Sequence, residues 1–452
     1  MTTNAKRRLV VLGAGESGTG AAILAKDKGM DVFLSDSGTI APRYREILEK
    51  EGIAYEQGGH TPALILNADE VVKSPGIPLD APVILGVRAK DIPVISEIEF
   101  AGRYTDSRMV CITGSNGKTT TTMLIHHILT SAGIDAGLAG NVGHSLAYQV
   151  ARDPHAVYVV ELSSFQLDNM YDFKANVAVL LNITPDHLDR YDYVMQNYVN
   201  AKFRILQNMT PSDTFIFWQD DPVITEQLRH ITTDARMLPF AEHQEEGTAA
   251  YIDAENQLIF DTPGTCMAMP RADLALSGLH NVFDSMAAGL SACLFDVRKD
   301  TLRRALSDFE GVEHRLEYVA TIDGVRWVND SKATNVNSCW YALEAMTTPV
   351  VLILGGKDKG NDYSEILPLV RDKVHAIVAM GLHNEKIMEF FDGQVESLES
   401  TDSLADAIAA CRRLARPGDT VLLSPCCASF DLFKSYEDRG RKFKDAVRAL
   451  DA

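Results

Sequence analysis

Residues 113–120 read TGSNGKTT. A short apolar run, Met109 to Thr113, precedes this loop, and from Thr119 onward the apolar residues recur at helical spacing. A strand, a glycine loop with Gly-Lys-Thr and a helix make a phosphate cradle. Backbone N–H groups of Gly114, Ser115, Asn116 and Gly117, with those of Thr119 and Thr120 at the helix start, converge on an anion. Lys118 adds a cation, and the Thr119 hydroxyl can ligate Mg2+. The general pattern G-x-x-x-x-G-K-[ST] would need glycine at position 112, where the chain has Ile112, so this is a shorter variant. Glu161 ends the strand-like AVYVVELSS and His187 follows NVAVLLNITPDH, so both open onto the same sheet edge as the loop. With Thr119 they form an Mg2+ environment of carboxylate, hydroxyl and neutral imidazole. The alternative is that Glu161 pairs with a neighbouring cation and His187 caps a helix.

A second glycine loop opens the chain. Gly13, Gly15 and Gly18 follow the strand-like RRLVVLG as G-x-G-x-x-G, and Asp36 ends the next strand, DVFLSD. Alone, this pattern suggests an NAD-dependent dehydrogenase. It certifies a diphosphate-sized anion at a helix start better than it certifies nicotinamide.

These residues need elements to hold them. The first hundred residues alternate RRLVVLG, a helix over 18–29, DVFLSD, a helix near 42–51, then strand-like EVVKSPG and PVISEIEF, which is the punctuation of a parallel sheet. A second α/β unit begins near Glu97 and runs to about Gly311, with a polar stretch at 241–271 expected as a small β excursion. A third starts near Val312, with strands in VRWVNDSKATN, PVVLILGGKDKG, VHAIVAMG and DTVLLSPCCAS. The expected fold is α/β in three domains, 1–97, 98–311 and 312–452, compatible with 452 residues at roughly 150 per domain.

Composition narrows the partners. Hydrophobic residues at 46% and charged residues at 23% are ordinary for a globular protein. No apolar run reaches the roughly 18–20 residues that span a bilayer, and MTTNAKRRLVVLGAG lacks a signal-peptide layout, so a cytoplasmic protein off the membrane is expected. The net charge of -19 argues against nucleic acid. Seven cysteines without C-x-x-C spacing favour reduced thiols over zinc or disulfides.

In chain order, TGSNGKTTT, ELSSFQLD, NITPDHLDRY, Ala201-Lys202, SGLHNVFD, EHRLE, NDSKATN, LGGKDKG and SPCCASFDLF resemble the Mur ligases of peptidoglycan synthesis over essentially the whole chain. The resemblance implies a Rossmann-like N-terminal domain binding UDP, a central P-loop-type ATPase domain, and a Rossmann-like C-terminal domain. Gly13 to Gly18 would then hold a UDP-sugar and not NAD, with Gly15, Ser17, Asp36, Ser37 and Gly76 near uridine and diphosphate. It also implies a reaction. ATP phosphorylates the L-alanyl carboxylate of UDP-N-acetylmuramoyl-L-alanine, and the amine of D-glutamate attacks the acyl phosphate.

By the same resemblance, Lys118, Asn141, His187, Lys202 and Lys332 serve the chemistry. Thr119 and Glu161 would hold one of two Mg2+ ions and His187 the other. Lys202 would carry a carbamate formed from CO2, an anionic oxygen ligand where an ammonium would repel the metal. Asn281, Asp284, Arg315, Asp330 and Lys332 would contact ATP, and Thr334, Lys359, Ser429, Phe430 and Tyr436 would surround D-glutamate. A monomer acting on small molecules is expected. Two departures stand out. Asp284 replaces the family's second adenine-loop asparagine, and the extra Lys357 in LGGKDKG competes with Lys359 for the D-glutamate role, for which the offset from the glycine pair favours Lys359. The alternatives are a sibling ligase or a folylpolyglutamate synthase-like ligase; a sibling adding a diamino acid would show D-N-P-[AG]-R, which is missing. A binding module without turnover would be expected to have lost Lys118, Glu161 or His187, and all three are present.

Overall fold

The computed structural model describes residues 6–262, 265–276, 278–358 and 360–450. Strands β1 (Arg8–Leu12), β2 (Asp31–Asp36), β3 (Ala54–Gln57), β4 (Glu70–Lys73) and β5 (Val94–Ile95) form a parallel sheet in the order β3-β2-β1-β4-β5. Leu9 to Leu12 are fully buried, which is why this strand reads as an unbroken apolar run. The stretch PVISEIEF is a strand only at Val94–Ile95. Ser96 then caps a helix, Glu97–Gly102, its hydroxyl accepting from the Glu99 N–H at 3.1 Å. Ser96 and Glu99 are the N-cap and N3 residues of that helix, a local signal that overrides the apolar alternation.

The second sheet contains β6 (Arg108–Thr113), β7 (Ala136–Gly140), β8 (Val157–Glu161), β9 (Val177–Leu180), β10 (Thr214–Trp218), β11 (Arg236–Phe240), β12 (Ala250–Ile252), β13 (Gln257–Thr262) and β14 (Thr265–Pro270). Its order is β14-β13-β12-β11-β10-β9-β6-β8-β7. Pairing is parallel from β7 to β12, and β13 and β14 add antiparallel at one edge. These last strands are the β excursion expected at 241–271.

The third sheet runs β15 (Glu317–Ile322), β16 (Val325–Asn329), β17 (Val350–Gly355), β18 (Val374–Met380), β19 (Ser397–Thr401) and β20 (Thr420–Cys426), ordered β15-β16-β20-β17-β18-β19. Only β15 pairs antiparallel.

By contacts the chain divides into two compact units, Met1–Asp273 with Phe283–Asp308, and Leu274–Val282 with Phe309–Ala452. The first holds two sheets joined through a tight seam. Helix Glu16–Asp27 meets the start of helix Leu146–Arg152 so closely that a Cβ on Gly20 would lie 2.0 Å from Ser145 Oγ. Buried Glu97 accepts from Ser145 Oγ at 2.7 Å and Ala147 N at 2.6 Å, and burial pushes its carboxyl up to about 7. No helix among the described residues is long and apolar enough to cross a membrane. Cys111, Cys339, Cys411, Cys426 and Cys427 are free and buried, and Cys293 is free and half-buried.

Candidate functional site

The parallel order places β6 between β8 and β9, so the loops after all three strands meet. Gly117, at φ +83°, turns the loop into the helix Lys118–Ser131. A Cβ there would sit 2.3 Å from Asp284 Oδ1, so glycine is required both for the backbone angle and for the space. The loop is braced from β9. Ser115 N donates to Asn182 O at 2.9 Å, Asn116 N to Asn182 Oδ1 at 2.8 Å, and Asn182 Nδ2 returns a bond to Asn116 O at 3.1 Å.

Lys118 Nζ folds back onto the carbonyls of Gly114 (2.9 Å) and Ser115 (2.7 Å). Lys202 Nζ donates to that same Gly114 oxygen at 2.7 Å, from the helix Met195–Phe203. Its side chain is buried against Tyr198, whose ring centre is 4.7 Å from Nζ. Burial, then the neighbouring Lys118 charge, hold the Lys202 amine well below the usual lysine range despite Asp186, Glu161 and Asp168. Both effects disfavour the ammonium form of Lys202.

Glu161, 1% exposed at the end of β8, accepts from Thr119 Oγ1 at 2.6 Å and Asn141 Nδ2 at 2.8 Å. Its carbonyl also accepts from Asn141 N at 3.0 Å, across Gly140 at φ +97°. The hydrogen-bond partners of the Glu161 carboxylate are thus a hydroxyl and an amide, and its charge also acts on Lys202. His187 has φ +52° and precedes the short turn Leu188–Arg190 without a side-chain cap bond, so the helix-capping alternative does not describe its ring. The ring lies edge-on to Phe165 at 5.2 Å, with Nε2 3.5 Å from Asp186 Oδ2. Thr120 is buried in the first turn of the loop helix, and Asp284, 4% exposed, accepts from Thr121 Oγ1 at 3.1 Å.

On the first sheet the glycine loop has the expected close packing. A Cβ on Gly18 would approach Gly13 O to 1.9 Å, and one on Gly13 would approach Ser74 Oγ to 2.5 Å. Gly15 caps helix Glu16–Asp27, with half-buried Ser17 in its first turn. Asp36 accepts from Ala14 N and Gly38 N, both at 2.7 Å, and so fastens the glycine loop to the loop after β2. Ser37 and Gly76 line one cavity of about 560 Å³ with His60, Ile65, Ile77 and Pro78.

The second unit gathers its own polar cluster. Asp330, after β16, accepts from Ser424 Oγ at 2.8 Å and Leu316 N at 3.2 Å; burial pushes its carboxyl up to about 6 against the pull of Arg315. Lys332 Nζ stands 5.3 Å from the centre of the Tyr436 ring. His280, beside Asn281, lies 5.1 Å from Tyr341, and burial lowers its imidazole to about 3, with Arg315 adding to the effect. Thr334 is half-buried, Ser429 buried and Phe430 69% exposed. Lys359 lies outside the described residues, and Lys357 N donates to Ala428 O at 2.8 Å.

Two organising residues escape a reading of the sequence. Asn182 needs the β6–β9 pairing to be seen as a brace. Arg439, 1% exposed, donates Nε to Ser331 Oγ at 2.9 Å and Nη2 to Ser331 O at 2.8 Å, and reaches Cys427 O at 3.2 Å through Nη1. It ties NDSKATN to SPCCAS. Its signal was an arginine in register with Phe443 and Val447 on the buried stripe of helix Tyr436–Arg448.

Three family models match the chain. They are described as Mur ligase MurD-like, N-terminal domain (residues 7–96), Mur ligase middle domain (112–292) and Mur ligase, glutamate ligase domain (314–427). A UDP-N-acetylmuramoylalanine–D-glutamate ligase of Bacteroides fragilis is 61% identical over 98% of this chain and 100% of its own. The protein of that name from Porphyromonas gingivalis is 56% identical over 98% and 99%. Among solved structures, UDP-N-acetylmuramate–alanine ligase of Thermotoga maritima shares the fold with TM-score 0.63 and 16% identity, over 98% of this chain and 100% of that one. A pseudomurein peptide ligase type C from Methanothermus fervidus does so with TM-score 0.63 and 18% identity over the same shares.

Proposed function

Because this chain belongs to the Mur ligase family, we infer that it is the ATP-dependent ligase that joins D-glutamate to UDP-N-acetylmuramoyl-L-alanine in peptidoglycan precursor synthesis. Full-length likeness to proteins named for that reaction carries the reading. The geometry around Lys118 and Glu161 supports its ATP half.

A carboxylate does not expel oxide, so it must first be activated. The L-alanyl carboxylate oxygen attacks the γ-phosphorus of ATP, the bond to the β-bridging oxygen breaks, and ADP leaves. The D-glutamate amine then adds to the acyl carbon, inorganic phosphate departs with the C–O bond pair, and the amine loses a proton. In the first step two anions meet, and loop N–H groups with Lys118 offset the repulsion. Lys118, now on the carbonyls of Gly114 and Ser115, is within the loop that would cradle the phosphates.

The Thr119 hydroxyl and Glu161 carboxylate, 2.6 Å apart and buried, are a hard oxygen pair that suits Mg2+. Mg2+ would supply charge neutralisation for the transferring phosphoryl group. His187 is assigned to a second ion. The lowered basicity of the buried Lys202 amine supports a carbamate, because only an unprotonated amine adds CO2. Its nitrogen lone pair bonds the carbon, one C=O pair moves to oxygen, and the N–H proton passes to solvent. Asn141, bonded to Glu161, would orient the reacting end of the sugar nucleotide.

In this reading residues 1–97 bind UDP, with Gly15, Ser17, Asp36, Ser37 and Gly76 near it, and 98–311 form the ATPase domain. Residues 312–452 bind D-glutamate through Thr334, Lys359, Ser429, Phe430 and Tyr436. Asn281, Arg315, Asp330 and Lys332 are assigned to ATP. The enzyme works in the cytoplasm as a monomer.

The test is phosphate release from ATP with UDP-N-acetylmuramoyl-L-alanine and a panel of amino acids. Release with D-glutamate only is expected; equal release with L-lysine or meso-diaminopimelate would reject the reading. Asp284 gives a second check. Its carboxylate would accept adenine N6–H and oppose guanine O6, so ATP is expected to outcompete GTP. Asp284→Asn keeps an acceptor for Thr121 and should bind ATP no worse, measured by nucleotide competition. Equal turnover of GTP by the parent protein would remove Asp284 from base recognition.

A further inference from the structure

The cavity beside Ser37 and Gly76 has one ionisable side chain in its lining, His60. The ring's hydrogen-bonding state is dictated from behind. Ser35, fully buried in β2, faces Glu56 in register on β3, and its Oγ lies 2.7 Å from Glu56 Oε1 and 2.7 Å from His60 Nδ1. Glu56 also accepts from Thr61 N at 2.9 Å. Burial works against the Glu56 charge, but hydrogen bonds from Thr61 and Ser35 and the nearby imidazole bring its carboxyl below the usual range, so it is an ionised acceptor.

Ser35 has a single hydroxyl proton. Without it on the Glu56 side, two oxygens would face each other at 2.7 Å with nothing between them. The third neighbour, Gly59 O at 3.5 Å, is too distant to compete. The proton therefore points at Glu56, and Ser35 can only accept from the ring. Nδ1 carries the imidazole hydrogen, and in the neutral ring Nε2 is a bare acceptor. With Nδ1 turned inward, the opposite edge with Nε2 is the one left to the cavity, and no described residue is hydrogen-bonded to it.

We propose that His60 is the base-selecting residue of this cavity, its Nε2 accepting the N3–H of uracil. The proposal rests on the reading above that the cavity receives the uridine end of the UDP-sugar. Uracil places a donor at N3 between two carbonyl acceptors, whereas cytosine has a lone pair at N3. Uracil completes the chain N3–H to Nε2, Nδ1–H to Ser35, Ser35 O–H to Glu56; cytosine sets two acceptors face to face. The apolar walls at Ile65, Ile77 and Pro78 suit a flat ring and keep water from replacing the bond.

Calorimetric titration of the full-length protein with UDP and with CDP tests this. The parent protein should prefer UDP by about tenfold or more, the discrimination of one buried donor–acceptor match. His60→Ala should weaken UDP by about tenfold and leave CDP nearly unchanged, so the ratio falls toward one. Ser35→Ala keeps the ring but removes the acceptor of Nδ1–H, which releases the tautomer. There the ratio should fall with His60 still in place, an effect that a purely packing role for His60 does not produce. A UDP:CDP ratio unchanged in both variants would overturn the proposal. Ala81→Trp, which fills the cavity, separates this failure from that of the parent reading. If UDP binding survives that substitution intact, the uridine lies elsewhere and the site assignment itself falls.

Discussion

Lys202→Ala is expected to lose about 10²-fold or more in turnover, and millimolar formate or acetate to restore part of it, while methylammonium restores none. The Lys202 amine lies fully inside the protein, on the same Gly114 carbonyl as Lys118. An ammonium there would face another cation across about the width of one oxygen, and burial would penalise it further. A direct phosphate contact by a charged lysine therefore fits the site poorly. Adding CO2 would convert the amine into an anion, which Lys118 and Mg2+ would both favour. Truncation to alanine leaves a space with that electrostatic preference, and a small carboxylate can occupy it. Steady-state kinetics of the variant with and without each additive is the measurement. Rescue by methylammonium with indifference to carboxylates would show that the position needs a cation, and the carbamate would leave the mechanism.

Glu161→Gln is the second large effect. Glutamine keeps the shape, its oxygen can accept from Asn141 Nδ2 and its NH2 can donate to the Thr119 hydroxyl, so the melting temperature should stay within a few degrees, about 1 kcal/mol in stability. The negative charge is gone, and with it the stronger of the two oxygen ligands proposed for Mg2+. Turnover should fall about 10²–10³-fold, and the Mg2+ concentration for half-maximal rate should rise. If Glu161 only orders its two neighbours, the variant would retain activity within about tenfold and the Mg2+ dependence would not move. A metal titration of initial rate at saturating ATP, alongside thermal unfolding, decides between the two.

The phosphate loop was legible because its chemistry is local. A strand, Gly117, Lys118 and Thr119 are contiguous, and the φ that Gly117 adopts is one that glycine alone takes easily. Buried parallel strands such as β1, β9 and β20 were also legible, as short apolar runs ending in polar loops. What failed was local in another way. The alternation of PVISEIEF suggested a strand, yet the Ser96 cap and Glu99 start a helix two residues after β5 begins to pair. Strands β15 and β19 are partly exposed and carry weak patterns, so they were missed. Strand order was beyond the sequence altogether. Without knowing that β9 lies beside β6, nothing in NITPDH marks Asn182 as the brace of the loop, and nothing in ITGSNGK reveals that Lys202 shares a carbonyl with Lys118.

The seam at Gly20 and Ser145 has a consequence for how such chains can change over evolution. Sequence families divide this chain after residue 96, yet the residues on the two sides of that division are fused by contact. Arg152 Nη2 donates to Glu51 Oε2 at 3.1 Å, and Ser96 N donates to Asn169 O at 2.7 Å. A swapped N-terminal module carrying any side chain at the position of Gly20 would collide with Ser145. The exchangeable unit is therefore larger than the N-terminal module of residues 7–96. Recombination that respects the sequence boundary but not the seam would yield a chain with both of its sheets and no shared face to join them.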